Sequence, residues 1–165
     1  MSAIASKSLD TRDSLLRTIV LGGMFIFIAQ FLHTWIVAVL IQKNSFMSVW
    51  QYIASGALGM AAFEGGIATA LLGVLFHLII SLIIAGVFIV VSDRFPILCR
   101  YAIASSLLYG FGVFIVMNFI VLPLSAAPPL PAPPMWLFIE IILEHILLIG
   151  LPLGILVRQY ANTNP

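Results

Sequence analysis

Charge is what this chain mostly lacks. Only 8% of its residues are Asp, Glu, Lys or Arg, and 62% are hydrophobic, whereas an ordinary soluble domain is about 25% charged. A single core of 165 residues could not hide so much apolar surface and still present a soluble exterior. The solvent must be lipid. Cysteine is nearly absent too, and Cys99 alone excludes an internal disulfide and any cysteine-based metal cluster. No basic stripe with interleaved aromatics occurs, so nucleic acid is not an expected partner. No phosphate-cradling loop is present, because Gly56, Gly59, Gly65 and Gly66 lack the flanking Lys-Ser/Thr. No lipidation signal is seen: Cys99 is internal and the chain ends in Asn-Pro.

What is abundant is long apolar sequence. Four runs, at 17–41, 66–91, 98–122 and 135–157, are long enough to cross a hydrocarbon core of about 30 Å at about 1.5 Å per residue. The expected fold is an all-α integral membrane protein, a four-transmembrane-helix bundle forming one domain over 17–158. Residues 1–16 read as a polar N-terminal segment and 159–165 as a tail. The first run exceeds a signal-peptide core and has no convincing small-x-small cleavage site, so it reads as an uncleaved anchor. Asp93-Arg94-Phe95-Pro96 reads as a tight turn between the second and third runs, and Leu122-Pro123 as the stop of the third. The stretch 123–134, "PLSAAPPLPAPP", should be a stiff, extended connector, since most of its prolines lack an amide donor.

A fifth apolar run, 48–63, is too short to span comfortably and carries Trp50, Gln51 and Tyr52 at one end. Trp and Tyr favour the headgroup level. The expectation is a short outer interfacial or re-entrant helix. With four spans, Lys7, Arg12, Arg17, Arg94, Arg100 and Arg158 fall on one side and only Lys43 on the other. That asymmetry places both termini in the cytoplasm of a bacterial-type inner membrane.

The apolar runs hold a few polar residues at chosen positions. Gly66, Ala70, Gly73, His77, Ser81 and Ala85 share an arc of about 120° in helical projection, and small residues at that spacing let membrane helices approach closely. Gly22, Gly23, Ile26, Gln30, His33 and Thr34 share another arc, and Ser106, Gly110, Phe114 and Asn118 form a four-residue series. The fourth run is the most conspicuous, because "FIEIILEHILLIG" holds Glu140, Glu144 and His145. From Leu137 to Val157 it has 15 Leu, Ile, Phe and Val residues. These favour insertion by roughly 5 to 9 kcal/mol, and two ionised glutamates oppose it by several. The helix inserts securely only if its polar groups meet protein or take up protons.

Counted from the outer ends of their spans, His33, His77, Glu144 and His145 lie at about 12, 16, 14 and 15 Å. One internal cluster is therefore expected: His33, His77, Glu144 and His145, with Gln30 and Asn118. Glu64 and Glu140 would guard its outer entrance, and Glu64 could instead cap the second span's first turn. Hydrogen-bond glue between helices is the plain reading for a single histidine, but a buried carboxylate costs more than glue returns. Three readings stand. The first is a small proton- or solute-handling transport or accessory protein, with Gly150 and Pro152 as a kink that gates access. The second is a haem- or metal-binding electron-transfer protein with His33 and His77 as ligands, although no local ligand spacing such as His-Glu-x-x-His is present. The third is a structural subunit whose cluster only fixes helix order. A carrier this small would work as a homo-oligomer or with a membrane partner subunit.

An enzyme is not expected. Ser55-Gly56 is similar to the Gly-x-Ser-Gly of intramembrane serine proteases, but Ile53 stands at the first glycine position and no suitable histidine follows. The segments Ile53 to Gly56, Ala62 to Gly66, Gly73 with His77, Tyr109-Gly110, Met117-Asn118, Pro123 to Ser125, His145 and Gly150 to Pro152 resemble a group of small bacterial four-span membrane proteins. The resemblance covers roughly residues 48–155. It implies the topology, and it carries over no catalytic residue because the group has no assigned activity.

Overall fold

The computed structural model describes residues 2–163, with side chains over 13–161. Within them the chain is helical wherever it is regular. That follows from the solvent: inside a bilayer every backbone amide must be satisfied within its own segment, which a helix does. The elements are α1 (Ser2–Thr34), α2 (Phe46–Leu58), α3 (Gly66–Arg94), α4 (Pro96–Arg100), α5 (Ala102–Val116), α6 (Leu122–Leu124), α7 (Met135–Glu144) and α8 (Leu151–Thr163). Three wider π-helical turns continue them: Trp35–Ile41 after α1, Met117–Val121 between α5 and α6, and His145–Gly150 between α7 and α8. Four continuous helices are long and apolar enough to cross a membrane: Asp13–Ile41, Gly66–Arg94, Ala102–Leu124 and Met135–Ala161. The chain is an all-α, multi-pass membrane protein by this measure.

Local chemistry explains where the helices change. Pro152 cannot donate to the Leu148 carbonyl four residues back, nor Pro123 to that of Phe119. A π-helical turn lies just before each proline, with the Leu151 N–H on the Ile146 carbonyl and the Leu122 N–H on the Met117 carbonyl. The third span thus continues past Pro123 to Leu124, where the sequence suggested a stop. No proline accounts for the π-helical end of the first span. That end closes with Gln42 donating to the Val37 carbonyl at 2.9 Å and with Lys43 in the left-handed region at φ 61°. Between the second and third spans the expected tight turn is longer. Phe95 breaks the helix, α4 makes one short turn, and Tyr101 breaks it again before α5.

The helices form two groups. In the first, α3 lies along α1 and α2. Gly23 brings α1 so close to α3 that a Cβ there would sit 2.8 Å from the Leu82 Cα. In the second group, α5 runs antiparallel to the fourth span. Ala102, Ser106 and Gly110 oppose Gly154, Gly150 and Ile146, and a Cβ on Gly110 would lie 2.6 Å from the His145 carbonyl oxygen. The groups meet along α1 and α8 in a dry core of Ile26, Ala85, Ile89, Ile149, Leu153 and Val157. On the opposite side, between the second and third spans, packing is loose. Two apolar clefts of about 410 and 250 Å³ open there, and Tyr109 donates to the Ile84 carbonyl at 2.7 Å across the seam. The proline connector is tied to α2 by Ala126 N–H to the Gly56 carbonyl at 3.0 Å and by Tyr52 to the Pro128 carbonyl at 3.3 Å.

Gly110→Ala should destabilise the folded protein by about 1–3 kcal/mol, since backbone must shift to admit the methyl group. Gly112 has open space around its Cβ position, and Gly112→Ala should be neutral or stabilising by up to about 1 kcal/mol. Unfolding titrations of both variants in detergent check the contrast.

Candidate functional site

The polar site is built on the α1–fourth-span seam. These helices run antiparallel, so residues three or four apart on one meet residues three or four apart on the other, in reverse order. Gln30 therefore faces Glu144, and His33 faces Glu140, one turn nearer the connector. Gln30 Nε2 donates to Glu144 Oε1 at 2.6 Å, and His33 Nε2 pairs with Glu140 Oε1. His145 Nδ1 lies 2.7 Å from the other oxygen, Glu144 Oε2. Both oxygens of Glu144 are thus bonded by groups from within the protein, one from each helix group.

Exposure falls along the seam. The side chains of His33 and Glu140 are 26% exposed, whereas Glu144 is 9% and His145 14% exposed. The outer pair is partly exposed and the inner set is nearly closed. Beneath the inner set lie Ile26, Ile149 and Leu153, each no more than 1% exposed. Near that layer Ser81 and Ser106 donate back to their own helices, to the His77 carbonyl at 2.8 Å and the Ile103 carbonyl at 3.0 Å.

The chemistry of His145 is set by its neighbours. Its Nδ1 also lies 2.8 Å from the Ile141 carbonyl oxygen. A carbonyl and a carboxylate only accept, so Nδ1 carries a proton in both charge states of the ring. The exchangeable proton of His145 is therefore the one on Nε2. The ring stands edge-on to Phe114 at 5.7 Å, which fixes its plane. A polar group so placed can hold or release one proton while its carboxylate partner stays bonded.

The remaining candidates lie elsewhere. His77 is within charge range of Glu144 but makes no hydrogen bond through Nε2. It sits instead against Phe27 and Trp50, with ring centroids 5.6 and 5.7 Å away. Asn118 donates to the Phe114 carbonyl of its own helix at 3.0 Å and does not join the seam. Glu64 is exposed and makes no side-chain cap at the start of α3. His33 and His77, the pair offered above to a metal or haem, turn to different partners, Glu140 and the aromatic rings. Among the described residues no group of three or more His, Cys, Asp or Glu could hold a metal ion.

Two contributions were missed from sequence. The pairing of Glu140 with His33 was legible in the antiparallel spacing of Gln30-x-x-His33 against Glu140-x-x-x-Glu144, had register been considered. Gln51 is buried and donates to the Gly66 carbonyl at 3.0 Å, holding α2 on the start of α3, and no spacing signals that. Trp50, expected at headgroup level, is only 1% exposed within the protein.

The seam bond is measurable by a double-mutant cycle. Gln30→Leu should cost about 1–3 kcal/mol, because it leaves a buried carboxylate oxygen unmatched. With Glu144→Leu added, the combined loss should fall short of the sum by about 0.5–3 kcal/mol. Additive losses would show that the two side chains do not act on one another. No family model, curated protein or solved structure matches this chain.

Proposed function

We propose that this protein is a proton-handling membrane protein of the carrier or accessory type, and that the Glu144–His145 pair is its proton-binding site. The observation that carries the reading is the placement of Glu144: inside the bundle, bonded to Gln30 on one oxygen and His145 on the other. A carboxylate so costly to bury, beside an imidazole whose Nε2 proton is exchangeable, is suited to taking up and releasing a proton. His33 and Glu140, being more exposed, serve as the relay to the connector side. The dry layer of Ile26, Ile149 and Leu153 favours one-sided access over an open pore. Delivery to the other side then requires a change of shape, for which Pro152 and the widened turn before it supply a flexible point. A second copy or a partner subunit is expected to complete the transport unit.

In this reading the membrane is a bacterial inner membrane with both termini cytoplasmic, as the excess of Lys and Arg on the terminal side favours. The connector and α2 then face outward, with α2 lying at the interface and clamped by Gln51 and the connector.

Two of the chain's three histidines, His33 and His145, belong to this seam, so proton uptake between roughly pH 5 and 8 reports on it. In lipid nanodiscs, a dye titration over that range should find fewer protons bound by Glu144→Gln and by His145→Gln than by the native protein. Equal uptake by folded variants would overturn the proton reading, while variants that fail to accumulate would favour a role in helix order alone. Orientation has its own test at Cys99, which sits half-buried in α4 and donates to the Ser92 carbonyl at 3.3 Å. An impermeant thiol reagent should label it only from the cytoplasmic side. Burial and the nearby Asp93 charge push this thiol above its ordinary range. Both disfavour thiolate, so labelling should accelerate only at alkaline pH, and Asp93→Asn should bring that rise to lower pH.

A further inference from the structure

We infer that Trp50 and His77 form a second polar site, which binds one small hydroxylic molecule, water itself, between the indole N–H and the imidazole Nε2. The proton reading is not required for it. Trp50 Nε1 and His77 Nε2 are both buried, and neither finds a hydrogen-bond partner in the protein. Trp50 is 1% exposed, so bulk water does not serve it either. At membrane depth an unmatched donor or acceptor is expensive, and a pair of them on neighbouring rings calls for a shared partner.

The chain holds this arrangement firmly. Gly73 lies one turn before His77 on the same face of α3, and its lack of a side chain lets the Trp50 carbonyl press against it. That contact sets the Trp50 ring over His77, 5.7 Å between centroids. Phe31 stacks on the far side of the indole at 4.7 Å, and Phe46 meets its edge at 6.2 Å. Phe27 closes the imidazole side at 5.6 Å. Phe27, Phe31 and Phe46 offer the pair no conventional hydrogen-bond partner.

The chemistry of the two atoms selects the ligand. An indole N–H only donates, so the ligand must accept. Nε2 of a neutral imidazole accepts in one tautomer and donates in the other, and water answers both. A metal ion fails at the indole, which offers no lone pair. Glu144 lies within charge range of His77. A water on Nε2 would hydrate His77 within reach of that carboxylate's charge, from a third helix.

The test uses the full chain in lipid nanodiscs, labelled with ¹⁵N at indole and imidazole nitrogens. Magic-angle-spinning NMR then follows magnetisation transferred from water, with H₂O as the probe and D₂O as its control. Trp35→Phe with Trp136→Phe leaves Trp50 as the single indole. The expected result is transfer from water to the Trp50 N–H and a hydrogen-bonded shift at His77 Nε2. Trp50→Phe should return that nitrogen to its unbonded shift. His77→Phe should abolish most of the transfer to Trp50, and His77→Gln, which restores an acceptor, should recover part of it. The proposal is overturned by a native Trp50 N–H with an unbonded shift and no transfer, or by one bonded directly to a protein acceptor. If His77→Phe does not fold, the native spectrum alone decides between these outcomes.

Discussion

A carboxylate inside hydrocarbon must be matched by the protein, and much of this architecture is arranged around that requirement. Glu144 lies on a span whose other residues are chosen to be buried in lipid. Its two oxygens are bonded by Gln30 and His145, so the first and last spans are held in one register. Shift either helix by a residue and Glu144 turns toward acyl chains at a cost of several kcal/mol. Small residues then make that register close-packed, with Gly110 and Gly150 bringing α5 against the widened turn that starts at His145.

The widened turns and the polar seam are connected. Pro152 sits two turns below Glu144, and the helix is widened between them, in the turn His145–Gly150. That turn lets Glu144 and His145, neighbours in sequence, bring Oε2 and Nδ1 to 2.7 Å while the ring also reaches the Ile141 carbonyl. A lone proline thus shapes the local geometry in which the acid and the imidazole meet.

Much of the fold was legible in the sequence because lipid solvent leaves few options: long apolar runs must be helices. The boundaries missed by a few residues where local chemistry intervened, at Phe95, Tyr101 and Pro123. The site was only partly legible. Depth along each span brought His33, His77, Glu144 and His145 to one level, since rise per residue is fixed in a helix, yet His33 pairs with Glu140 one turn away and Gln30 is the residue that meets Glu144. Depth cannot say which way a side chain turns, so His77 was placed among the carboxylates when its ring lies against Phe27 and Trp50. Asn118 was misjudged for a similar reason, its amide being taken up by a carbonyl of its own helix. Trp50 had the wrong environment because an amphipathic ring at a helix start suits either the interface or a tight interhelical pocket, and only Gly73 opposite it favours the pocket.

The loose seam between the second and third spans has a mechanical meaning. The two helix groups are joined along a spine, the α1–α8 line, and slack along the fore-edge, where Tyr109 is a light clasp on Ile84. Glu144 and Glu140 sit on the spine. Whatever alters the bonds of those carboxylates acts at the hinge line, where a small rotation is magnified into a wider opening at the far margin of the molecule.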